Sequence, residues 1–341
     1  MTDSLHEKYS RQVLFAGIGG QGQEHLLASR VVIVGCGAIG AATANLLVRA
    51  GVGHLRVIDR DFVEPSNLQR QTLFEESDAR EALPKALAAE RRLRAINSDI
   101  QIQGLVADLN PKNVAELLSD FPLILDGTDN FETRFLINDF AVATGTPWVY
   151  AAAVSSYGLC LTIRPGQSAC LACLITPSSG MGLEETCDTI GVLGPAVNLI
   201  ASLQSVEALK FLSGHEEVWH GRLVSCDVWS GRFQSIHPQR DPRCRACARR
   251  EFTYLHGEAQ PHITMCGRDS VQIHERHRTL DLSALANHLS ASVADVRQNG
   301  FLLRFRVPPY ELTVFADGRT LIKGTTDPVV ARSVYAKYLG S

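Results

Sequence analysis

The stretch that most constrains this chain runs from Val31 to Gln71. Four β-branched residues, Val31 to Val34, read as a buried parallel strand. Gly35-Cys-Gly37-Ala-Ile-Gly40 follows, then an apolar run with helical spacing through Ala50, then a second strand, Leu55 to Ile58, that ends on Asp59. Strand, glycine loop, helix, strand and acid, in that order, make a nucleotide-binding βαβ unit. Glycines at 35, 37 and 40 let a nucleotide approach the backbone, and the N–H groups of the helix start face its phosphates. Asp59 stands where it accepts hydrogen bonds from a ribose. A second match, Gly17-Ile-Gly19-Gly-Gln-Gly22, has no strand before it and reads as a plain loop or helix cap.

The glycine motif does not separate NAD from ATP, but the residues after it do. Asp59, Asp61, Asn67, Gln69, Arg70 and Gln71 form a packed polar set that a dehydrogenase does not need. A triphosphate with Mg²⁺ does: Arg70 can fork onto phosphate oxygens, and acids can hold the metal. The chain contains no GxxxxGK[ST], so a phosphate-binding lysine comes from elsewhere. Lys85, just after Pro84 at the start of a helix spanning Leu83–Ile96, is the candidate. A strand over Ile100–Val106 and a helix over Pro111–Ser119 precede the strand Pro122–Asp126. That last strand ends at the carboxyl edge of the sheet, so Gly127-Thr-Asp129-Asn130 lies where ligands bind in open α/β folds. Asp129, Asn130 or Thr128 also suits the N-cap of a helix over Phe131–Ala143.

Asp59-Arg-Asp61, Ser66-Asn-Leu-Gln-Arg-Gln71, Pro84-Lys85 and Gly127-Thr-Asp129-Asn130 together resemble the ThiF/MoeB/HesA group of ubiquitin-activating-enzyme-like adenylyltransferases. The resemblance covers roughly residues 5 to 250. It implies an ATP-dependent enzyme that joins AMP to the C-terminal glycine of a ubiquitin-fold sulfur carrier, in thiamine or molybdopterin synthesis. By resemblance Asp59 holds the ribose, Arg70 and Lys85 hold phosphates, Asn67 and Gln71 orient them, and Asp129 binds Mg²⁺. Tyr9-Ser10-Arg11-Gln12 matches the family's N-terminal motif, in which the arginine reaches across a homodimer interface to the partner's ATP. Ala38-Ile39 departs from the Gly-Leu of many relatives, while the glycines that make the turn remain. The resemblance also implies a carrier with a diglycine tail, and a sulfurtransferase or cysteine desulfurase as a further partner. The small residues Ala151 to Ala153 suit close approach of that thin tail. In thiamine-pathway members a cysteine before a GVxGP motif carries sulfur or an acyl linkage. Cys187, before Gly191-Val-Leu-Gly194-Pro195, occupies that place, although Glu184, Glu185 and Asp188 would raise its pKa.

Nine cysteines in 341 residues are too sparse for a disulfide scaffold. Four of them form two pairs, Cys170-Leu-Ala-Cys173 and Cys244-Arg-Ala-Cys247, each able to put two thiolates on one tetrahedral ion. A structural zinc clamp is the reading, and the family has the same clamp. A redox pair or two buried thiols is the plainer account of one CxxC alone. Cys36, Cys160 and Cys226 read as structural thiols, and Cys266 as incidental.

The fold expected is α/β: a Rossmann-like doubly wound sheet of the adenylation type with a small C-terminal α+β domain. Residues 1–250 form the adenylation domain with its zinc clamp, 251–262 a polar linker, and 263–341 the small domain, in which no catalytic constellation is visible. Thr176 to Gly194 reads as a loop over the site, entering a helix at Pro195 that runs to Leu212. Gly221 to Ile236 reads as a hairpin turning at Ser230-Gly231, and Asp317-Gly318 as a second hairpin turn. A net charge of −3 and a pI near 6.4 argue against a nucleic-acid binder. No signal peptide or membrane-length apolar run is present, so the default is cytoplasmic. Three rival readings stand beside the main one. They are an NAD-dependent oxidoreductase, an adenylating enzyme acting on a small molecule or tRNA base, and a catalytically silent zinc-containing interaction module.

Overall fold

The structure, a computed structural model, describes residues 7–175, 191–219, 221–258, 264–265, 270–274, 280–290, 293–316 and 318–339. The chain falls into two compact units, one built from residues up to 175 and from 192 to 258, the other from 264 to 339. No helix of the described residues is long and apolar enough to cross a membrane.

The first unit is built on strands β1 (Arg30–Val34), β2 (His54–Asp59), β3 (Gln101–Val106), β4 (Ile124–Asp126), β5 (Trp148–Val154), β6 (Tyr157–Ile163), β7 (Leu223–Asp227) and β8 (Arg232–Ile236). They form one sheet in the order β3-β2-β1-β4-β5-β6-β7-β8. The first five in that order run parallel, and β6 to β8 extend the sheet antiparallel. The α/β class holds, with a mixed sheet in which the doubly wound pattern covers the parallel half. Its main helices are α1 (Gly19–Ala28), α2 (Ala38–Ala50), α3 (Lys85–Ile96), α4 (Phe131–Thr144) and α5 (Gly194–Leu212). Val31, Ile33, Leu47, Leu55, Val57 and Leu125 are fully buried, as the near-continuous apolar runs of parallel strands require. After β1 the chain winds toward β3 on one side, and β4 lies on the other. The strand order therefore reverses between β1 and β4, and a crevice opens at their carboxyl ends.

Three local expectations are corrected. Of the two expectations for Gly17 to Gly22, loop or helix cap, the loop fails: the stretch spans a helix start, and Gly19 and Gly22 belong to α1. Gly19 opens the helix with φ +61°, and a Cβ on buried Gly22 would press to 3.3 Å from the Ser213 side chain. The helix expected from Leu83 starts at Lys85, because the Leu83 carbonyl accepts from the Val63 N–H at 2.8 Å and Pro84 sits at the cap. The helix expected over Pro111–Ser119 shrinks to Val114–Leu118. Asn110 and Asn113 each donate a side-chain N–H to the Asp108 carbonyl at 2.9 Å, and these turn bonds compete with helix.

The second unit is an antiparallel sheet with two helices, the α+β class expected. Its strands are β9 (Thr264–Met265), β10 (Ser270–His274), β11 (Ala294–Gln298), β12 (Leu302–Val307), β13 (Tyr310–Phe315) and β14 (Arg319–Lys323), in the order β11-β12-β13-β14-β10-β9. Helices α6 (Leu282–Leu289) and α7 (Pro328–Leu339) cover one face, burying Leu289, Ala331 and Val334 against Leu303, Phe305, Leu312 and Ile322. Asp281 caps α6 through the N–H groups of Ser283 and Ala284, both at 3.0 Å. The Asp317 half of the expected turn, Cys266, and the loop from Thr176 to Ile190 lie outside the described residues.

Candidate functional site

The crevice between β1 and β4 is made by glycines packed backbone to backbone. Gly35 adopts φ +91°, and a Cβ there would stand 2.5 Å from the Gly127 carbonyl carbon. A Cβ on Gly40 would overlap the Gly35 carbonyl, and one on Gly127 would overlap it from the other side. The loops after β1 and β4 are thus locked together, with Gly35 N–H donating to Ile58 O and Gly127 N–H to Val34 O, both at 2.7 Å. Gly37 forms the N-cap of α2, so that helix starts at the crevice.

Asp59, at the end of β2, is 9% exposed and its carboxylate is held on both oxygens. Oδ2 accepts from the Cys36 N–H and Oδ1 from the Asp61 N–H, each at 2.6 Å. Burial pushes its carboxyl pKa up, and the Lys85 charge pulls it back down. Lys85 is itself buried, its Nζ 3.2 Å from Asp61 Oδ2. The excursion between β2 and α3 closes on a bridge between Phe62 and Pro84, which brings Lys85 back beside the end of β2. Within it Asn67 is buried, its Oδ1 accepting from the Glu64 N–H at 3.0 Å. Gln71 is also buried, and its Oε1 has no partner among the described residues. Arg70 donates to the Ser66 carbonyl at 2.9 Å. The start of α5 abuts this turn, since a Cβ on Gly194 would stand 3.4 Å from Gln69 O.

At the end of β4, Asn130 is the helix cap: its Oδ1 accepts from the Thr133 N–H at 2.9 Å. Asp129 is therefore released from capping, and its exposed carboxylate accepts from the Asn130 side chain at 3.4 Å. Behind this loop lies a buried pair that the sequence reading missed. Arg134 Nε donates to Asp126 Oδ2 at 3.0 Å, and its Nη2 donates to the carbonyls of Thr128 at 2.7 Å and Ala151 at 3.1 Å. One guanidinium thus ties the loop after β4 to β5. Burial alone would lower the Arg134 pKa, and Asp126 holds it above the ordinary value. Gln204 of α5 adds to the brace, donating to Asp126 O at 2.9 Å and accepting from Thr43 of α2 at 2.8 Å. A signal for Arg134 was present: it falls on the inner stripe of α4 with Ile137, Asn138 and Ala141, where a charge needs a partner.

Two candidates are not drawn into this cluster. Arg11 is exposed on the short helix Ser10–Val13 and makes no hydrogen bond or ion pair among the described residues. Cys187 lies outside the described residues.

The other four cysteines converge. The sulfurs of Cys170, Cys173, Cys244 and Cys247 lie within 4.8 Å of one another, with Sγ–Sγ separations of 3.8 Å for 170–173, 3.6 Å for 170–244 and 3.4 Å for 173–247. Thiolates on a tetrahedral ion with bonds of about 2.3 Å stand about 3.8 Å apart, so the donor set fits such a metal. Hydrogen bonding from Cys170 lowers the Cys173 thiol to about 5, while burial raises Cys247 to about 11. The two knuckles are fixed to α4: the Leu171 N–H donates to Asn138 Oδ1 at 2.9 Å, and Arg245 pairs with the fully buried Asp139 at 3.0 Å. Cys36 and Cys160 are buried, and burial drives both thiols far up, which fits structural roles.

Comparison with known proteins agrees with this geometry. The model of the ThiF family matches residues 9–246. A sulfur carrier protein ThiS adenylyltransferase of Bacillus subtilis is 44% identical over 339 residues, covering 98% of this chain and 99% of that protein. The molybdopterin-synthase adenylyltransferase of Escherichia coli is 37% identical, covering 72% of this chain and 98% of its own. Among solved structures, Escherichia coli MccB with MccA-N7isoASN superposes with a TM-score of 0.64 at 22% identity, over 72% of this chain and 76% of that one. The sequence motifs end near residue 250, yet the likeness to the Bacillus protein runs on through the C-terminal unit.

Proposed function

The chain belongs to the ThiF family, and from that premise we propose that it is an ATP-dependent adenylyltransferase for the C-terminal glycine carboxylate of a ubiquitin-fold sulfur carrier. The observation that carries the reading is the crevice at the β1–β4 switch point. It gathers a glycine cradle, a held acid at Asp59, a buried cation at Lys85 and an uncapped carboxylate at Asp129. A nicotinamide cofactor gives Lys85, Arg70 and Asp129 no work.

In the reaction the carrier carboxylate oxygen attacks the α-phosphorus of ATP. The bond from that phosphorus to the bridging oxygen breaks, and pyrophosphate leaves. The protein aligns the two reactants and offsets developing charge. In this reading Asp59 holds the ribose, Gly35, Gly37 and Gly40 admit the phosphates, and Arg70 and Lys85 bind them, with Asn67, Gln71 and Asn130 setting the surrounding turns. Lys85 is parked on Asp61 at 3.2 Å and exchanges that partner for phosphate. Asp129, with Asp61, whose charge like that of Asp129 acts on Arg60, would hold Mg²⁺, which supplies charge neutralisation on the phosphates. The carrier's diglycine tail would run along Ala151 to Ala153, where larger side chains leave no room. Ala152→Leu is then expected to impair carrier use and spare ATP binding.

The four-cysteine cluster takes a structural zinc, with no open position for chemistry. Arg11 acts in a homodimer, reaching the partner subunit's phosphates. Mixing inactive Arg11→Ala and Asp129→Ala chains would then restore roughly a quarter of the activity, since random dimers regain one intact site in half of them. Cys187 belongs to later sulfur transfer, so Cys187→Ala should keep adenylate formation. The carrier serves thiamine or molybdopterin synthesis in the cytoplasm. The name of the Bacillus relative favours the thiamine type. The C-terminal unit, from about residue 263, is a separate domain with no part in the chemistry.

The test is ATP–pyrophosphate exchange with thiamine-type and molybdopterin-type carriers, each with and without its terminal glycine. Exchange that requires that glycine supports carrier adenylation and names the pathway. ATP binding without exchange on either carrier would sink it.

A further inference from the structure

We propose that Arg60 is a base-recognition residue, its guanidinium held by Asp108 at the carboxyl edge of the sheet so that it stacks on the adenine ring of ATP. This rests on the ATP reading and goes beyond it, because none of the motifs above gives the base a partner.

The backbone around Arg60 is pinned on both sides. The Asp59 carbonyl accepts from the Ala107 N–H at 3.2 Å, and the Asp61 carbonyl accepts from the Lys85 N–H at 2.8 Å. The Asp59 carboxylate points back to Cys36, toward the glycine loop. Successive side chains of an extended segment point to opposite sides. Arg60 does so, and its Nη1 donates to Asp108 Oδ1 at 2.8 Å. Asp108 lies two residues past the end of β3, the outermost strand on that side. Both side chains are only about one-fifth exposed, at 22% and 20%, so this is not a solvated surface pair whose geometry is free to drift.

The direction matters for the ligand. In a switch-point crevice the phosphates lie over the glycine loop after β1, and the ribose lies at the acid ending β2. The base is attached to the far side of the ribose, so it falls beyond β2 toward β3. Arg60 is the side chain fixed in that space. A guanidinium is planar and delocalised and stacks on a π face without reading the base's hydrogen-bond edge. Its charge is secure: burial opposes it, and Asp108, Asp61 and Asp129 more than offset that opposition. An arginine meant for phosphate would be spoiled by such acids. One that stacks on a neutral ring is only oriented by them.

Binding to the full-length protein, measured by calorimetry, separates the two halves of the nucleotide: AMP reports the adenosine side and pyrophosphate the phosphate side. Arg60→Ala is expected to weaken AMP and ATP by the same factor, on the order of tenfold, the scale of a partly desolvated cation–π contact. Pyrophosphate affinity should not move. Asp108→Asn should show a smaller loss of the same pattern. Arg60→Tyr, which offers a planar face without charge, should recover most of the AMP affinity, a rescue that a merely structural arginine would not show. Equal loss of pyrophosphate and AMP binding in Arg60→Ala would overturn the assignment in favour of a phosphate ligand, and so would unchanged AMP binding. Wild-type protein that binds neither ATP nor AMP would overturn the nucleotide reading itself, and this assignment with it.

Discussion

At the nucleotide edge the buried charges are matched by other protein charges. Lys85 faces Asp61, Arg60 faces Asp108, and Arg134 faces Asp126, at 3.2, 2.8 and 3.0 Å. In the four-cysteine cluster the strongest influences on the thiols are burial and one another. The first region holds its shape before any ligand arrives, so a ligand need displace only the Asp61 partner of Lys85. The second crowds four sulfurs that repel as thiolates, and it needs a cation to be stable in that form. Damage to the edge should therefore appear in activity, and damage to the cluster in stability.

The largest effect expected is from stripping metal out of the cluster. Chelation under mild denaturant, or Cys173→Ser, should lower Tm by roughly 10 °C or more, on the scaling of a few degrees per kcal/mol for a domain of this size. Elemental analysis should find one zinc per chain in untreated protein. A metal-free protein with unchanged Tm would erase the distinction between the two regions. Next comes Asp129→Ala, which should cut exchange activity by about 10²- to 10³-fold, the cost of losing one preorganised electrostatic group. Its Tm should stay within about 2 °C of the parent, because its carboxylate carries no cap. A large drop in Tm would show that the edge, too, depends on its ligand groups for folding.

Gly40→Ala probes the glycine lock, where the edge should behave like the cluster. Its Cβ would overlap the Gly35 carbonyl, a backbone atom that cannot move without shifting the locked loops after β1 and β4. A loss of roughly 3 kcal/mol is expected by denaturant titration, the upper range for overpacking, together with loss of ATP binding. Gly20→Ala, in α1 with open space around the added atom, is the control and should be neutral or slightly stabilising.

The same contrast explains what could be read from the chain without its fold. The glycine loop, Asp59 and the paired CxxC motifs are local in sequence, each set by a short-range rule about φ angles or ligand spacing. The structure puts them at one switch point and in one cluster. Gln204 and Thr43 were missed because their partners lie far away in sequence: Gln204 meets Thr43 across 161 residues. Arg134 and Asp126 are near neighbours in the chain, and what hid them was that Asp126 reads as the end of an apolar strand and Arg134 as one more helix charge until both are seen to be buried. The loop alternative for Gly17 to Gly22 failed for a related reason. Glycine signals a loop in isolation, but Gly22 exists to let α1 approach Ser213. Arg60 and Asp108 each look like a solvated charge until β2 and β3 are paired in register. The C-terminal unit shows the reverse: its class was legible from periodicity, yet it carries no local motif from which a task could be read.

The smallest effect expected comes from a carboxylate of a third kind, matched by neither cation nor metal. Asp227, at the turn between β7 and β8, accepts from Ser230 Oγ at 2.6 Å, Ser156 Oγ at 2.8 Å and the Trp229 N–H at 3.1 Å. The two hydroxyls, Ser230 first, pull its pKa from the ordinary carboxylate value down to about 2. A depressed folded pKa stabilises the turn above about pH 4, where the free carboxylate is ionised, and that contribution fades as pH falls through about 2. Trp229 is 82% exposed while Trp148 and Trp219 are buried, so the acrylamide-quenchable emission belongs to the turn. That signal should titrate with a midpoint near 2, and Asp227→Asn should abolish the step while leaving activity at neutral pH unchanged. Because hydrogen bonds rather than a counter-charge set this shift, the midpoint should barely move between low and high salt. A midpoint that climbs toward 4 as salt is added would mean that a cation holds Asp227 after all, and the turn would then obey the same rule as Lys85 and Asp61.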